Sequence, residues 1–393
     1  MSFARVLAER ARGVASVLAP REAHYAICSP LQTLPYEAQV RCKEAALSRV
    51  LGRRVPVFSS AVIWGYRKKM EFALYGSESG VRLAWHARGG RGRRKVPIDG
   101  CALASRRLNE LARQAAAALG EVGAWAGDTK ALVASESKAS GAVALRLVVH
   151  GGEELRWRRW QELVGAFPGV AAAQVGYARR ETPATTPERV IAGPHEVWLE
   201  ERVCGVCVRY PAFGFFQNNI WQTEALLIAL AEVLAREAPR EFVLWDLYAG
   251  AAPLSAALAR LLEGRVREVF ALELDEALAQ AARRNLRRVG VAARVVGGDI
   301  ARTFLRDDDG ASTSASEAVA IVDPPRSGLH PVVVRRLLEQ GPILLAYVSC
   351  NPDTLARDLT LLESVYSLVV LKGFDFYPHT LHLEAFAVLA RRA

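Results

Sequence analysis

AVAIVDPPRSGL, residues 318–329, is the stretch that sets the reading of the chain. Apolar, strand-forming residues run into Asp323-Pro324-Pro325, a turn that a strand cannot continue through. Parallel strands end this way where their carboxyl ends open onto a ligand crevice. The device recurs at residues 343–348, which run into Ser349-Cys350-Asn351-Pro352. Strand ends of one open sheet lie side by side, so the spacing predicts that Asp323 and Cys350 share a pocket.

Outward from these two turns, strand and helix patterns alternate. Strands are expected at 242–248, 269–274, 293–296, 318–322 and 343–348, with helices from 255 and at 277–289, 331–339 and 354–363. Two further strand-like runs, SLVVLKGF and EAFAVLARR, end the chain. Such alternation predicts an α/β fold with a doubly wound, mostly parallel sheet, the last pair forming a hairpin at one edge. Upstream, a helix around 35–51, a hairpin from Val62 to Gly89, a helix at 102–119 and a strand at 141–149 read as an α+β region, with residues 175–194 as an exposed loop. The chain therefore divides into two units: 1–209, in which 31–58 is expected to pack back on its neighbour, and 210–393.

Charge divides along the same line. The net charge is +10, yet 32 Lys+Arg face 19 Asp+Glu over residues 1–209, and 19 face 22 over 210–393. Compositional bias alone would make both halves basic, so the first half reads as a surface for a polyanion. The loop RGGRGRRK, with Arg91, Arg93 and Arg94, neighbours Tyr66, Arg67 and Lys69. Rings that stack on bases beside cations that follow phosphates are the means of gripping single-stranded RNA. A solvated, charged hairpin face is the bland alternative for any one of them.

The six cysteines follow no disulfide framework, and Arg5, Glu9, Arg10 and Arg12 interrupt the opening segment where a signal peptide needs an apolar core. No uncharged apolar run is long enough to span a bilayer. A cytoplasmic monomer with no membrane partner is expected. Cys204-x-x-Cys207 lies in a strand-like context without a second cysteine pair, so packing rather than metal is the reading, and no metal is expected.

The strand at 242–248 ends in Asp246-Leu247-Tyr248-Ala249-Gly250, and the next in Glu273. In nucleotide-type crevices the first turn admits a ligand to the backbone, here at Gly250, and an acid on the second strand receives a ribose diol, here Glu273. Ala251-Ala252-Pro253 follows Gly250, so the glycine-rich phosphate cradle is missing. S-adenosylmethionine, which has an adenosine and no pyrophosphate, fits better than NAD.

In this order the motifs FFQNN at 215–219, DLYAG, ELD, Gly298-Asp299, VDPPRSGL, SCNPDTLARDL and PHTLHLEAFAVLARR, with LQTLPYEAQVRCKEA and WGYRKKMEF upstream, resemble the RNA 5-methyluridine (uracil-C5) methyltransferase family of tRNA and 23S rRNA over residues 28–392. The resemblance implies a class I S-adenosylmethionine-dependent methyltransferase fold behind an RNA-binding region. It implies Cys350 as the nucleophile that adds to the uracil ring, Glu384 as the base that removes the carbon-5 proton, and Gln217, Tyr248, Glu273, Asp299 and Asp323 as cofactor ligands.

Departures from the pattern shape the expectations. Ala251 and Ala252 stand where the family has other residues, which motivates the rival reading of a catalytically idle RNA-binding protein. An amino-group methyltransferase is argued against by Arg326, which replaces the aromatic residue those enzymes place after Asp-Pro-Pro. Cys28 and Cys101 occupy two of the four places where rRNA-specific relatives hold a [4Fe-4S] cluster, but the others read Ala19 and Tyr25, so no iron-sulfur cluster is expected. The small amino-terminal β-barrel of some relatives is likewise not expected. The cysteine remnants and the PHT-x-H-x-E ending favour 23S rRNA over tRNA as substrate.

Overall fold

Eight strands form the larger sheet of the structure, a computed structural model that describes residues 2–78, 80–87, 94–181, 186–303 and 317–392. Their order is Val57–Phe58, Tyr366–Phe374, Glu384–Arg391, Leu344–Ser349, Ala318–Val322, Phe242–Leu247, Val266–Glu273 and Ala292–Gly297. From Leu344–Ser349 onward the ladder is parallel, and Glu384–Arg391 runs antiparallel to both of its neighbours. The strand order reverses beside Phe242–Leu247. Ligand crevices of doubly wound sheets open at such a point.

The last hairpin is not at an edge. Glu384–Arg391 lies inside the sheet, buried from Glu384 through Leu389, because its apolar residues face helices on both sides. The edge is formed instead by Val57–Phe58, which pairs in parallel with Gly373 and Phe374. One face of the sheet buries residues of the helices Phe3–Arg12, Tyr36–Val50, Pro331–Gln340 and Pro352–Leu362. The other buries Ile220–Glu237, Pro253–Leu261, Glu276–Val289 and the hairpin Trp198–Val203/Val206–Pro211. Residue 209 falls within the strand Val206–Pro211, whose Val206, Val208 and Tyr210 belong to the core on this second face.

A seven-stranded sheet lies between these segments in sequence. Its order is Lys95–Pro97, Gly80–His86, Lys69–Ser77, Thr129–Glu136, Val143–Val149, Val170–Tyr177 and Arg189–Ala192. Helix Arg106–Glu121 covers it, started by the Ser105 hydroxyl, which accepts from the Leu108 amide at 3.0 Å. Two expectations change here. The stretch 175–194 is framed by strands rather than being one loop, since VAAAQVGY supplies the strand-forming residues. Residues 62–68, expected as strand, form turns with a positive φ at Gly65 and a single bridge from Arg67 to Ala104.

Cys204 and Gly205 have φ of 48° and 79°, the left-handed pair that a tight hairpin turn requires. The C-x-x-C spacing is thus the spacing of a turn. Among the described residues, no helix is long and apolar enough to cross a membrane.

The amino-terminal segment is locked to the sheet by a buried ion pair. Lys43 Nζ donates to Asp375 Oδ1 at 2.6 Å and to the Tyr377 carbonyl at 2.9 Å, with both side chains fully buried. Removing one charge strands the other out of water, so Lys43→Ala is expected to cost about 3–5 kcal/mol in urea unfolding. The double variant Lys43→Met/Asp375→Leu should recover most of that loss, because no charge is then left buried.

Candidate active site

The two turns that end strands 318–322 and 344–349 are stitched together. Asn351 Nδ2 donates to the Arg326 carbonyl at 2.8 Å, while Asn351 Oδ1 accepts from the Asp353 amide at 3.2 Å and caps the helix Pro352–Leu362. Asp358, on that helix, accepts from the Leu329 amide at 2.9 Å and the Tyr347 hydroxyl at 2.6 Å. The prolines end the strands, and Asn351 and Asp358 fix the path of the chain beyond them. Asp323 and Cys350 are thereby held on the wall of one cleft of about 530 Å³, which Gln217, Glu273, Tyr377, His382 and Glu384 also line.

Glu384 begins an interior strand, and only 1% of it is exposed. Its Oε1 is 3.5 Å from the Tyr377 hydroxyl, and its Oε2 is buried without a hydrogen-bond partner. Desolvation, and then the neighbouring Asp323, hold its carboxyl well above the usual range. Asp323 is itself pushed up to about 7 by desolvation, against the lowering effect of the Gln217 amide, which donates to it at 3.1 Å. Burial first, then Glu384 and Asp323, push the Cys350 thiol up to about 12. At rest the cleft holds a protonated thiol beside two carboxyls that retain protons unusually well.

A second hollow, of about 780 Å³, adjoins the cleft and shares Tyr248, Glu273 and Pro325 with it. Asp299 lines only this second hollow, where its Oδ1 also caps a short helix by accepting from Ala301 N at 2.9 Å. Glu273 accepts from the Gly250 amide at 2.7 Å and the Asp275 amide at 2.8 Å, which fixes its carboxylate at the junction of the hollows. The backbone beneath is bent: Tyr248, Gly250 and Ala252 have φ of 70°, 57° and 58°. Ala252 therefore occupies a left-handed position that costs an L-residue about 1–2 kcal/mol and a glycine little.

The residues expected on an RNA surface are placed differently. Tyr66 is fully buried, and its hydroxyl donates to the Pro378 carbonyl at 3.2 Å. It cannot stack on a base, because the turn at Gly65 drives its ring into the core. Lys69 Nζ donates to the carbonyls of Phe213 and Gly214 at 2.8 and 3.3 Å, so it supports a loop rather than waiting for a phosphate. Arg67 is half-buried, with its guanidinium 6.0 Å from the Tyr377 ring centroid. Arg94 is exposed, and Arg91 and Arg93 lie outside the described residues.

Three cleft residues carry no sequence motif that assigns them a role there: Phe215, Tyr377 and Arg326. Phe215 is 63% exposed although aromatic, an exposure that FFQNN alone does not reveal. Arg326 Nη2 lies 3.4 Å from His382 Nδ1 at the rim.

Comparison with known proteins bears on this site. The tRNA (uracil-5-)-methyltransferase family model matches residues 208–392. An uncharacterized RNA methyltransferase of Nitratidesulfovibrio vulgaris is 29% identical over 381 residues, covering 92% of this chain and 80% of that protein. The tRNA (uracil(54)-C(5))-methyltransferase of Pyrococcus abyssi is 27% identical over 366 residues, covering 91% and 82%. The crystal structure of the Pyrococcus abyssi tRNA (uracil-54, C5)-methyltransferase in complex with S-adenosyl-L-homocysteine matches with a TM-score of 0.72 at 25% identity, over 95% of this chain and 87% of that one.

One carboxyl at the base of the crevice yields a pH prediction. Asp246 is buried, and desolvation raises it to about 7 from 3.8. The folded state thus keeps a proton that the unfolded chain releases, and the stability this gives below about pH 4 is lost as pH rises through about 7. Asp246→Asn should therefore unfold at higher denaturant than the parent at pH 8, by up to about 4 kcal/mol. The gap should close near pH 4.

Proposed function

We propose that this chain is an S-adenosylmethionine-dependent RNA uracil-C5 methyltransferase, in which Cys350 and Glu384 act in turn on a uridine held in the 530 Å³ cleft; the family model that matches residues 208–392 supports it. The observation that carries this reading is the convergence of a thiol and two desolvated carboxyls on that cleft.

Carbon 5 of uracil is a weak nucleophile. Addition of the Cys350 sulfur to carbon 6 moves the ring's double-bond electrons onto the carbonyl oxygen and leaves an enolate reactive at carbon 5. The thiol proton passes to the Asp323 carboxylate, which leaves Glu384, in its ionised form, to accept the later proton. Once carbon 5 has gained its methyl group, Glu384 takes the carbon-5 proton, the ring double bond re-forms and the sulfur leaves as a thiolate. A carboxylate with a raised pKa is the stronger base for that step.

S-adenosylmethionine, when bound, supplies an electrophilic methyl group. The residues fit it: Glu273 keeps free lone pairs for a ribose diol at the junction of the hollows, Gly250 leaves the backbone approachable, and the second hollow has Tyr248 and Asp299 for the base. Gln217 and Asp323 close the end nearest Cys350. Phe215, exposed at the mouth, offers a face on which an unstacked base could rest, as base flipping requires. Arg94, exposed beside the strand Lys95–Pro97, extends the RNA surface onto the seven-stranded sheet. Residues 66–192 form the substrate-binding unit in this reading, and residues 2–58 belong with the catalytic one.

Which RNA is bound turns on two observations. The cysteine remnants favour 23S rRNA, and the two Pyrococcus relatives are named for a tRNA uridine. We favour tRNA, since those relatives match this chain over nine-tenths of its length. All six cysteines are free, which supports a reducing, cytoplasmic setting, and a monomer remains the simplest reading.

Glu384→Gln is expected to accumulate a methylated RNA–protein adduct that survives denaturing electrophoresis, at a turnover reduced by about 10²–10⁴-fold. Cys350→Ser should give neither adduct nor product. Incubation with tRNA and 23S rRNA transcripts, each with labelled methyl donor, decides the substrate. A Cys350→Ser enzyme that still forms 5-methyluridine would end the covalent mechanism, and a parent that binds neither donor nor uridine would restore the idle RNA-binding reading.

A further inference from the structure

We propose that Glu22, His24, Cys28 and Cys101 form a mononuclear site for a divalent cation of the zinc type, independent of the catalytic reading. The three donor atoms of Glu22, His24 and Cys28 lie within 4.8 Å of one another. His24 Nε2 is 3.3 Å, and Cys28 Sγ 3.5 Å, from Glu22 Oε2. Ligands at about 2.0–2.3 Å around one tetrahedral ion stand about 3.3–3.7 Å apart, and the two separations from Glu22 match edges of such a tetrahedron. Cys101 stands outside that group of three, and in the proposal its buried thiol swings in beside Cys28 as the fourth donor when the ion binds.

The surroundings are built as a metal site's outer shell is. Glu22 uses its other oxygen, Oε1, to accept from the Ala102 amide, which leaves Oε2 turned to the cluster. Cys101 is fixed by Asn109, whose Oδ1 accepts from the Cys101 amide at 2.8 Å and whose Nδ2 donates to the Cys101 carbonyl at 2.9 Å. Such partners orient ligands before binding. His24 Nε2 is buried and faces Glu22 Oε2. A hollow of about 550 Å³ that reaches Glu22, His24 and Cys101 gives an ion a way in.

Two thiolates, one imidazole and one carboxylate suit a single tetrahedral ion, whereas a four-iron cluster calls for four thiolates. Binding exchanges one dication for two thiol protons released to solvent. Glu22, His24 and Cys28 lie in one short run of the sequence, and folding adds Cys101 from the turn at 100–102. The ion would clip residues 22–28 to the turn at 100–102, beside the hairpin that bears the basic loop.

The full-length protein, purified without chelator, should carry one zinc per chain by elemental analysis. Cobalt exchanged into it should give the visible bands of a tetrahedral ion and a sulfur-to-metal charge-transfer band. Cys28→Ser, Cys101→Ser and His24→Ala should each bind at least about 100-fold more weakly, with the cobalt bands lost or shifted, and Cys207→Ser should bind as the parent does. Should a variant fail to fold, the parent's cobalt spectrum still decides. An octahedral spectrum, iron with labile sulfide, a Cys28–Cys101 disulfide, or stoichiometric zinc in Cys28→Ser would each overturn the proposal.

Discussion

Desolvation of the Glu384 carboxyl is the constraint on which the rest of the site depends. A carboxylate of this kind would ordinarily sit in water. Here it opens a strand that is paired on both edges and buried on both faces, so only the cleft remains open to it. The same antiparallel strand separates Leu344–Ser349 from Tyr366–Phe374 and so sets where Cys350 emerges. Moving that strand outward would hydrate Glu384 and remove its influence on both Asp323 and the thiol. The sheet's interior position for its last strand and the acid–base character of the cleft are one fact seen at two scales.

Much of this was legible in the chain, for a physical reason. Asp-Pro-Pro and Cys-Asn-Pro each follow an apolar run, and proline after a strand fixes where the strand stops, so Asp323 and Cys350 were placed by local chemistry alone. Glu273 and Gly250 were legible for the same reason, and the structure shows their direct bond. Burial was not legible. Tyr66, Arg67 and Lys69 read as a charged aromatic strip, yet a turn at Gly65 folds the strip under, and the lysine is held by a loop 144 residues away. Lys43 lies on a helix whose spacing gives no sign that Asp375 will neutralise it. Tertiary partners decide these cases, and no local pattern records them.

The alanines after Gly250 look different once the backbone is known. Ala251 is buried, and its carbonyl accepts from Asn285 Nδ2 at 2.8 Å, so the first turn is tied to helix Glu276–Val289 through its main chain. That tie asks nothing of the side chain at 251. Ala252 carries strain from its positive φ, but the following proline opens the helix in the geometry it needs. The departure from a glycine-bearing turn therefore alters local cost more than the shape of the crevice.

The short connection 375–383, which precedes Glu384, is gripped from both units. Lys43 holds Asp375 and the Tyr377 carbonyl, Tyr66 bonds Pro378, Gln39 bonds the His379 amide at 3.0 Å, and Trp64 stacks on the His379 ring at 3.7 Å. The two sheets thus share a hinge pin. An ancestor or an engineer wishing to exchange the seven-stranded sheet for another cannot do so as a cassette, since the graft would have to bring along, or rebuild, the very linker that aims Glu384.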